Sequence, residues 1–533
     1  MKSRRYPTFL AGLVFTAMAI VPAAAQGTLR VAMTLADVPL MDGAPDQGTE
    51  GVRFSGYTVY DALISYDLSR ADQAAVLRPS LATEWKPVDG DPLRWVFKLR
   101  QGVKFHDGSA FNADAVIFSL DRGFTKEHPA YDAAIERQLK AYMPSVKSWK
   151  KLDDFTVEIT TTTPDSLFPY QMTRLFVASP TQWEKLGRDW NAFRSNPSGT
   201  GPWMLETLVP RQRAELVPNK DYWDKSRVPK LDRLILLPVP EVSARTAAIL
   251  SGRVDWAEVP SPDTVERLKE AGIRLSTNSM PHMWPYTLSE LPDSPFADIR
   301  VRKALNYAVD REGLVKVLNG LAVPSVGNVT PDHPWFGKPT FEVKYDPAEA
   351  RRLLAEAGYS KDKPLKVKAA ISTSGSGQMY PLIMNEFIQE NFREVGVELE
   401  LVVFEWEALR ARRRAGAQGE ENKGITMLNN SWTATDPYSG LLRFLSPSEI
   451  PPAGTNWGNI NDPELTSLSE QIRAEFDPKK QDDLLAKLHQ RHVDMANFIW
   501  VVHDVGALAL SPKVKGHVHA RSPFVDFSPI YMQ

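Results

Sequence analysis

Two kinds of residue in this sequence have the type and spacing that chemistry needs. The first is His106 beside Asp107, in GVKFHDGSAFNADAVIFSLDR (102–122). An imidazole next to a carboxylate is half of an acid–base or metal site. The same stretch also reads as punctuation, because Asp107-Gly108 is a turn dipeptide and Asn112 stands where a short polar side chain caps a helix beginning at Ala113. The structural reading is the stronger, since no partner completes a site. His489 and His492 lie three apart on an expected helix, and His517 and His519 share one strand face. Neither pair has an acidic or cysteine partner at a metal-binding spacing. GTGPW (199–203) lacks the Gly-Lys-Ser/Thr ending of a phosphate loop, and STSGSGQ puts Ser374 where a nucleophile elbow around Ser376 needs glycine. The expectation is a chain that is not an enzyme and uses no cofactor or metal.

The second kind is suited to holding a ligand. ALRARRRAG carries Arg410, Arg412, Arg413 and Arg414. Arginines so closely spaced point in several directions around a helix, so a solvated helix end is expected, with an anionic ligand as the alternative. Aromatic residues are prominent in GYTVYDAL (Tyr57, Tyr60), in PHMWPYTL (Trp284), at Tyr131, and in NNSWTATDPYSGLLRF (429–444) around Trp432.

Positioning such residues requires a large scaffold. At 533 residues the chain exceeds one hydrophobic core, so two or three lobes are expected. Lys2, Arg4 and Arg5 precede an apolar run from Phe9 to Val21 and an Ala23-Ala24-Ala25 cleavage pattern, which reads as a signal peptide cut after Ala25. Cleavage removes three basic residues and no acid, taking the net charge of −2 to −5 and arguing against a nucleic acid or an anionic membrane as the main partner. There is no cysteine, hence no disulfide and no lipid attachment to an N-terminal Cys. A mature protein free in the periplasm is expected.

TLRVAMT, LRWVFKLR and FTVEITT alternate like strands, whereas from Lys230 strands and capped helices take turns. Ser261-Pro262 and Asp346-Pro347 mark helix starts, Gly252, Gly272 and Gly358 mark stops, and a long amphipathic stretch runs from Pro463 to Ile499. Mixed α/β lobes around central sheets follow.

The segment LRPSLATEWKPVDGDPLRWVFKLRQGVKFHDGSAFNADAVIFSLDR (77–122) closely resembles the signature of the family 5 extracellular solute-binding proteins, the dipeptide- and oligopeptide-binding proteins of ABC importers. GTGPWMLE, NKDYWDKSRVPKLDRL, DIRVRKALNYAVDRE and AEARRLLAEAGY continue the likeness in order along the chain. The resemblance implies an α/β, two-lobed periplasmic binding protein clamshell of the type II, cluster C kind with an additional inserted subdomain. Domain I would be discontinuous (26–65, 198–284 and 506–533), the insertion would span 66–197 and the second lobe 285–505. Chain crossings near Met283 to Thr287 and Val501 to Val505 would form the hinge.

The resemblance also implies a site. Trp432 would line the cleft, with core packing as the alternative; Tyr57, Tyr60, Trp284 and Tyr131 lie on other cleft-facing segments, and each suits the core equally well. In peptide-binding members a carboxylate three residues after the cleft Trp holds the peptide α-ammonium; here that position is Thr435, and Asp436 beside it could substitute, or serve as an ordinary turn residue before Pro437. The implied function is capture of a peptide or peptide-like solute by a monomer that delivers it to an ABC permease. A non-peptide solute (opine, sugar or metal chelate), a secreted peptide hydrolase and a periplasmic chaperone or sensor are the alternatives.

Overall fold

In the computed structural model, which describes residues 27–44 and 46–533, two seven-stranded sheets and one four-stranded sheet organise the chain, beside two two-stranded pairs. The expected signal peptide lies outside the described residues. Strand Thr28–Met33 runs parallel to Arg233–Pro238 on one side and to Trp256–Glu258 on the other. Antiparallel strands Arg213–Pro218 and Trp203–Val209 extend one edge of this seven-stranded sheet, and Leu508–Leu510 and Arg274–Ser276 the other. Leu29, Val31 and Met33 are buried on its core face and Ala32 on the opposite face, as covered parallel strands require.

A second seven-stranded sheet has the order Ala322–Pro324, Phe498–Asp504, His282–Leu288, Met427–Asn429, Leu365–Ser372, Val397–Phe404. The two-residue strand Trp432–Thr433 pairs with the start of His282–Leu288. Leu365–Ser372 begins as LKVK, apolar in and lysine out, and Lys366 and Lys368 meet Glu398 and Glu400 across the parallel register at 3.1 and 2.8 Å. A four-stranded antiparallel sheet between Ala82 and Thr161 carries its own core. Trp183 and Phe193, further along, pack instead into the core of the first sheet.

The chain leaves the first sheet after Ser276 and enters the second at His282; it leaves the second at Asp504 and rejoins the first at Leu508. The connections between the sheets are therefore residues 277–281 and 505–507. Residues 283–287, expected as a crossing, lie inside a fully buried strand, because an unbroken apolar run suits a central strand covered on both faces. Similarly, the long stretch after Pro463 is two helices, Pro463–Ala474 and Pro478–Asp494, divided where Asp477 caps the second.

His106–Asp107 is a turn. Gly108 adopts φ +87°, and Asn112 Oδ1 accepts from the backbone N–H of Asp114 and Ala115 at 3.1 and 3.4 Å, starting helix Ala113–Phe124. His106 Nε2 lies 2.9 Å from the Gly201 carbonyl, and burial pushes the imidazole down to about 4, so it is neutral at pH 7. The GTGPW motif is explained by packing: a Cβ on Gly199 would lie 2.2 Å from the Val59 carbonyl oxygen, and one on Gly201 2.4 Å from that of Thr58. His489 and His492 are fully buried and bonded to Phe336, Asn328 and Asn497. Among the described residues no cluster of three His, Asp or Glu side chains has metal-site geometry.

Candidate functional site

The site lies where the two large sheets and the insertion converge. From the first lobe comes a helical segment whose middle turn, Val52–Gly56, is π-helical, an irregularity common at functional sites. At its start the Glu50 N–H donates to Ser376 Oγ of the second lobe at 2.9 Å, and Thr49 Oγ1 lies 3.4 Å from Thr433 Oγ1. The insertion also reaches the second lobe: buried Asp165 pairs with Arg473 at 3.2 Å, and Arg473 continues to Glu449 at 3.3 Å. Two small contiguous chambers lie between these contacts, both bounded by Thr49, His282, Ser376 and Thr433.

The chamber on the first-lobe side, about 50 Å³, contains matched charges. Arg53 Nη1 lies 2.5 Å from Glu258 Oε2, and Glu258 also accepts from Trp256 Nε1 at 2.7 Å. Glu50 accepts from the Thr34 N–H at 2.9 Å and from its hydroxyl. Burial and the neighbouring Glu258 push the Glu50 carboxyl up to about 7. His282 Nδ1 lies 3.2 Å from Asp504 Oδ2.

The other chamber, about 60 Å³, is lined by four arginines and no carboxylate. Helix Trp406–Ala415, capped by Glu405, presents Arg410 and Arg413, three apart on one face. Arg443 comes from the turn Leu442–Phe444 and Arg174 from the insertion's turn Met172–Arg174. Arg410 pairs with Glu407 at 2.8 Å. Among the described residues no carboxylate oxygen lies within 4.0 Å of Arg174, Arg413 or Arg443. Arg443, 6% exposed, is held by Nε donating to Thr455 Oγ1 at 2.8 Å, and its terminal nitrogens have no partner among the described residues. Arg413 Nε and Arg174 Nη1 are buried and unpartnered. Burial, reinforced by Arg410 and Arg443, pushes Arg413 down to about 9, leaving it charged at pH 7. For the Tyr142 phenol, burial acts upwards, but Arg174, Arg443, Arg410 and Arg413 outweigh it and hold the group below its ordinary value.

Trp432 lines this chamber, 5% exposed, with Phe444 edge-on at 4.5 Å. Its ring carries the guanidiniums of Arg413 and Arg443, 4.9 and 5.4 Å from the centroid. The indole therefore acts as a shelf for cations. Thr435 lines a separate cavity of about 610 Å³ bounded by Tyr170, Met280, Trp335 and Arg521. Asp436 does not face the arginine chamber: its carboxylate accepts the Ser439 N–H at 2.9 Å and the Ser439 hydroxyl, capping a short helix whose first residue is Pro437. The residue before Pro is held extended, which aims this side chain at the helix start.

The remaining aromatic candidates fall elsewhere. Trp284 is fully buried in the second-lobe core, donating to the Gln378 carbonyl at 3.1 Å. Tyr57 packs on Phe176 and Phe524 with centroids 5.6 and 4.8 Å apart. Tyr131 sits on the insertion and donates to Glu136 at 2.6 Å. None of the three lines either chamber. The basic run is not merely a solvated helix end, because Arg410 and Arg413 turn inward while Arg412 bonds the Glu421 carbonyl and Arg414 is exposed. Arg443 lies in the segment already marked by Trp432. Arg174 and Tyr142 carried no local signal, since only tertiary folding brings them in.

A model of the bacterial extracellular solute-binding proteins, family 5 Middle, matches residues 76–452. The chain is 28% identical to heme-binding protein A of Haemophilus influenzae over 88% of this chain and 86% of that protein. It is 31% identical to the glutathione-binding protein GsiB of Salmonella typhimurium over 80% and 84%. Among solved structures, the ABC transporter-associated periplasmic binding protein DppA of Helicobacter pylori, in complex with the peptide STSA, superposes with a TM-score of 0.81 at 23% identity, covering 95% of this chain and 98% of that one.

Proposed function

Because the chain belongs to family 5 of the bacterial extracellular solute-binding proteins, a family of binders and not of enzymes, we propose that it captures a peptide-like solute in the cleft between its two lobes and delivers it to an ABC permease. The observation that carries this reading is the pair of chambers between the lobes, one of them walled by the insertion as well. A solute that touches both lobes only when they are closed shifts the population to the closed state, and residues 277–281 and 505–507 are the hinge. The protein acts in the periplasm as a monomer after cleavage behind Ala25, with domain I, insertion and second lobe built around the first seven-stranded, the four-stranded and the second seven-stranded sheet respectively. Mass spectrometry of protein purified from the periplasm tests this reading. The expected result is a chain beginning at Gln26 that releases a stoichiometric small molecule on denaturation. Small-angle scattering should show a smaller radius of gyration once that molecule is restored; an unchanged radius at saturation contradicts capture by closure.

One observation favours a solute without a free α-amino group. Thr435 has no charge, and Asp436 is committed to a helix cap. A neutral hydrogen bond has roughly half the strength of a charge-assisted one, so the anchor for a peptide amine is weak here.

A further inference from the structure

The arginine chamber supplies a ligand chemistry that the family alone does not. We infer that the solute carries at least two acidic groups, carboxylate or phosphate, and that Arg174, Arg413 and Arg443 bind them; this inference rests on the capture function proposed above. Arginines buried in a protein normally have a carboxylate or a full set of carbonyl acceptors, because an uncompensated buried cation is costly. Three other buried arginines of this protein follow that rule. Arg311 donates to carbonyls of Ser325, Trp500, Asn306 and Val309, Arg245 to carbonyls of Glu258, Val239, Pro240 and Val259, and Arg53 to Glu258.

At the cleft the rule is broken three times within one small space. The side chain of Arg443 is oriented by Thr455 so that its Nη pair stays free, which is the fork that binds a planar carboxylate or a phosphate. Arg413 is stacked on Trp432 and Arg174 lies 5.0 Å over Tyr142, so aromatic faces rather than anions hold both. Glu449, a carboxylate in the neighbourhood of Arg443, is taken by Arg473 and the Tyr438 hydroxyl. Three guanidiniums without a carboxylate partner carry three positive charges around one chamber, more than a single carboxylate can neutralise, whereas two or more acidic groups can. The chamber has room for several waters, which an acidic group can displace.

The test is calorimetric titration of the mature protein, at fixed ionic strength, with the dipeptides Glu–Glu and Gln–Gln, with citrate and with pyrophosphate. At least one polyanion should bind about 100-fold more tightly than Gln–Gln, as two charge-assisted contacts predict. A response to Glu–Glu or citrate identifies carboxylates as the source, and a response to pyrophosphate identifies phosphate. Arg413→Gln and Arg443→Gln should each weaken the polyanion by about tenfold or more and weaken Gln–Gln, which has a single carboxylate, by a smaller factor. If Arg443→Gln does not fold, Arg413→Gln and Arg174→Gln, both at less buried positions, decide the matter. Equal binding of Glu–Glu and Gln–Gln, polyanion binding insensitive to the substitutions, or no binding of any polyanion overturns the inference. Gln–Gln, or an uncharged solute released from the purified protein, closing the lobes would leave the proposed capture function standing. Absence of closure with every solute, the released one included, would remove both.

Discussion

The two chambers of the cleft use the same side chain in opposite ways. On the first-lobe side, burial works against the charge of Arg53, yet Glu258 and Glu50 outweigh it and hold the guanidinium above its ordinary value. On the facing side, burial acts on Arg413 with no carboxylate to relieve it, and the neighbouring charges of Arg410 and Arg443 push it further down. A buried arginine with its carboxylate in place is part of the scaffold. One that lacks it is waiting for a partner from outside the chain, and the stability given up is recovered when that partner binds.

The largest effect should come from breaking the paired side. Glu258→Gln leaves Arg53 buried without its paired carboxylate and loosens the Trp256 bond; truncating one member of a buried pair costs about 3 to 5 kcal/mol. Urea unfolding should show a clearly lower midpoint. A change below about 1 kcal/mol, the value of an exposed pair, would erase the distinction between the chambers.

Next in size is the shelf beneath the unpaired side. Trp432→Ala removes a core indole packed on Phe444 and takes the aromatic face from Arg413 and Arg443 together, for a loss of about 3 kcal/mol. Polyanion affinity should fall in the same variant, whereas Trp284→Ala, in the second-lobe core, should lower stability alone. Parallel titrations of the two variants separate a shelf from a general packing residue.

A third experiment uses pH to sharpen the contrast. Glu50 is raised in the folded state, by burial first and Glu258 second, to about 7 from an ordinary 4.5. The folded protein therefore holds this proton more tightly than the unfolded chain does. Stability from this group is fully present below about pH 4.5 and is lost as pH rises towards 7, an effect on the order of 2 kcal/mol. Glu50→Gln should flatten this part of the stability profile. A slope that persists unchanged in the variant would assign it to another group.

What the sequence disclosed follows the range of the forces involved. Turn and cap chemistry is local, so Gly108, Asn112 and Asp346 could be read directly, and all three are seen in place. Ser261, read the same way, stands at a helix start but its hydroxyl bonds Asp263 instead of the backbone. The arginine chamber was only half legible. Arg410 and Arg413 lie within a visible basic run, but which members of it turn inward depends on the wall opposite. Arg174, distant in sequence and on another unit, leaves no trace in any local pattern. Asp436 and Thr435 show the converse limit: their positions after Trp432 were plain, yet the direction of the carboxylate was set by Pro437 and the helix it starts.

The smallest expected effect is also the most discriminating, because its sign differs from that of most core substitutions. In protein freed of solute, Arg413→Gln removes a charge that repels Arg410 and Arg443 and lacks a carboxylate, while an amide of similar reach keeps part of the contact with Trp432. Unfolding should shift towards higher urea by about 1 kcal/mol, the usual gain when a functional residue is relieved of strain. Added salt should change the difference little, since charges buried together are screened far less than exposed ones. Arg53→Gln, by contrast, leaves Glu258 and Glu50 facing each other in a buried site and should be strongly destabilising. The comparison needs both signs. If Arg413→Gln proves as damaging as Arg53→Gln, Arg413 is a packing residue and the two chambers differ only in composition. If it stabilises the empty protein while weakening polyanion binding, the cost of holding an unpaired guanidinium ready has been measured directly.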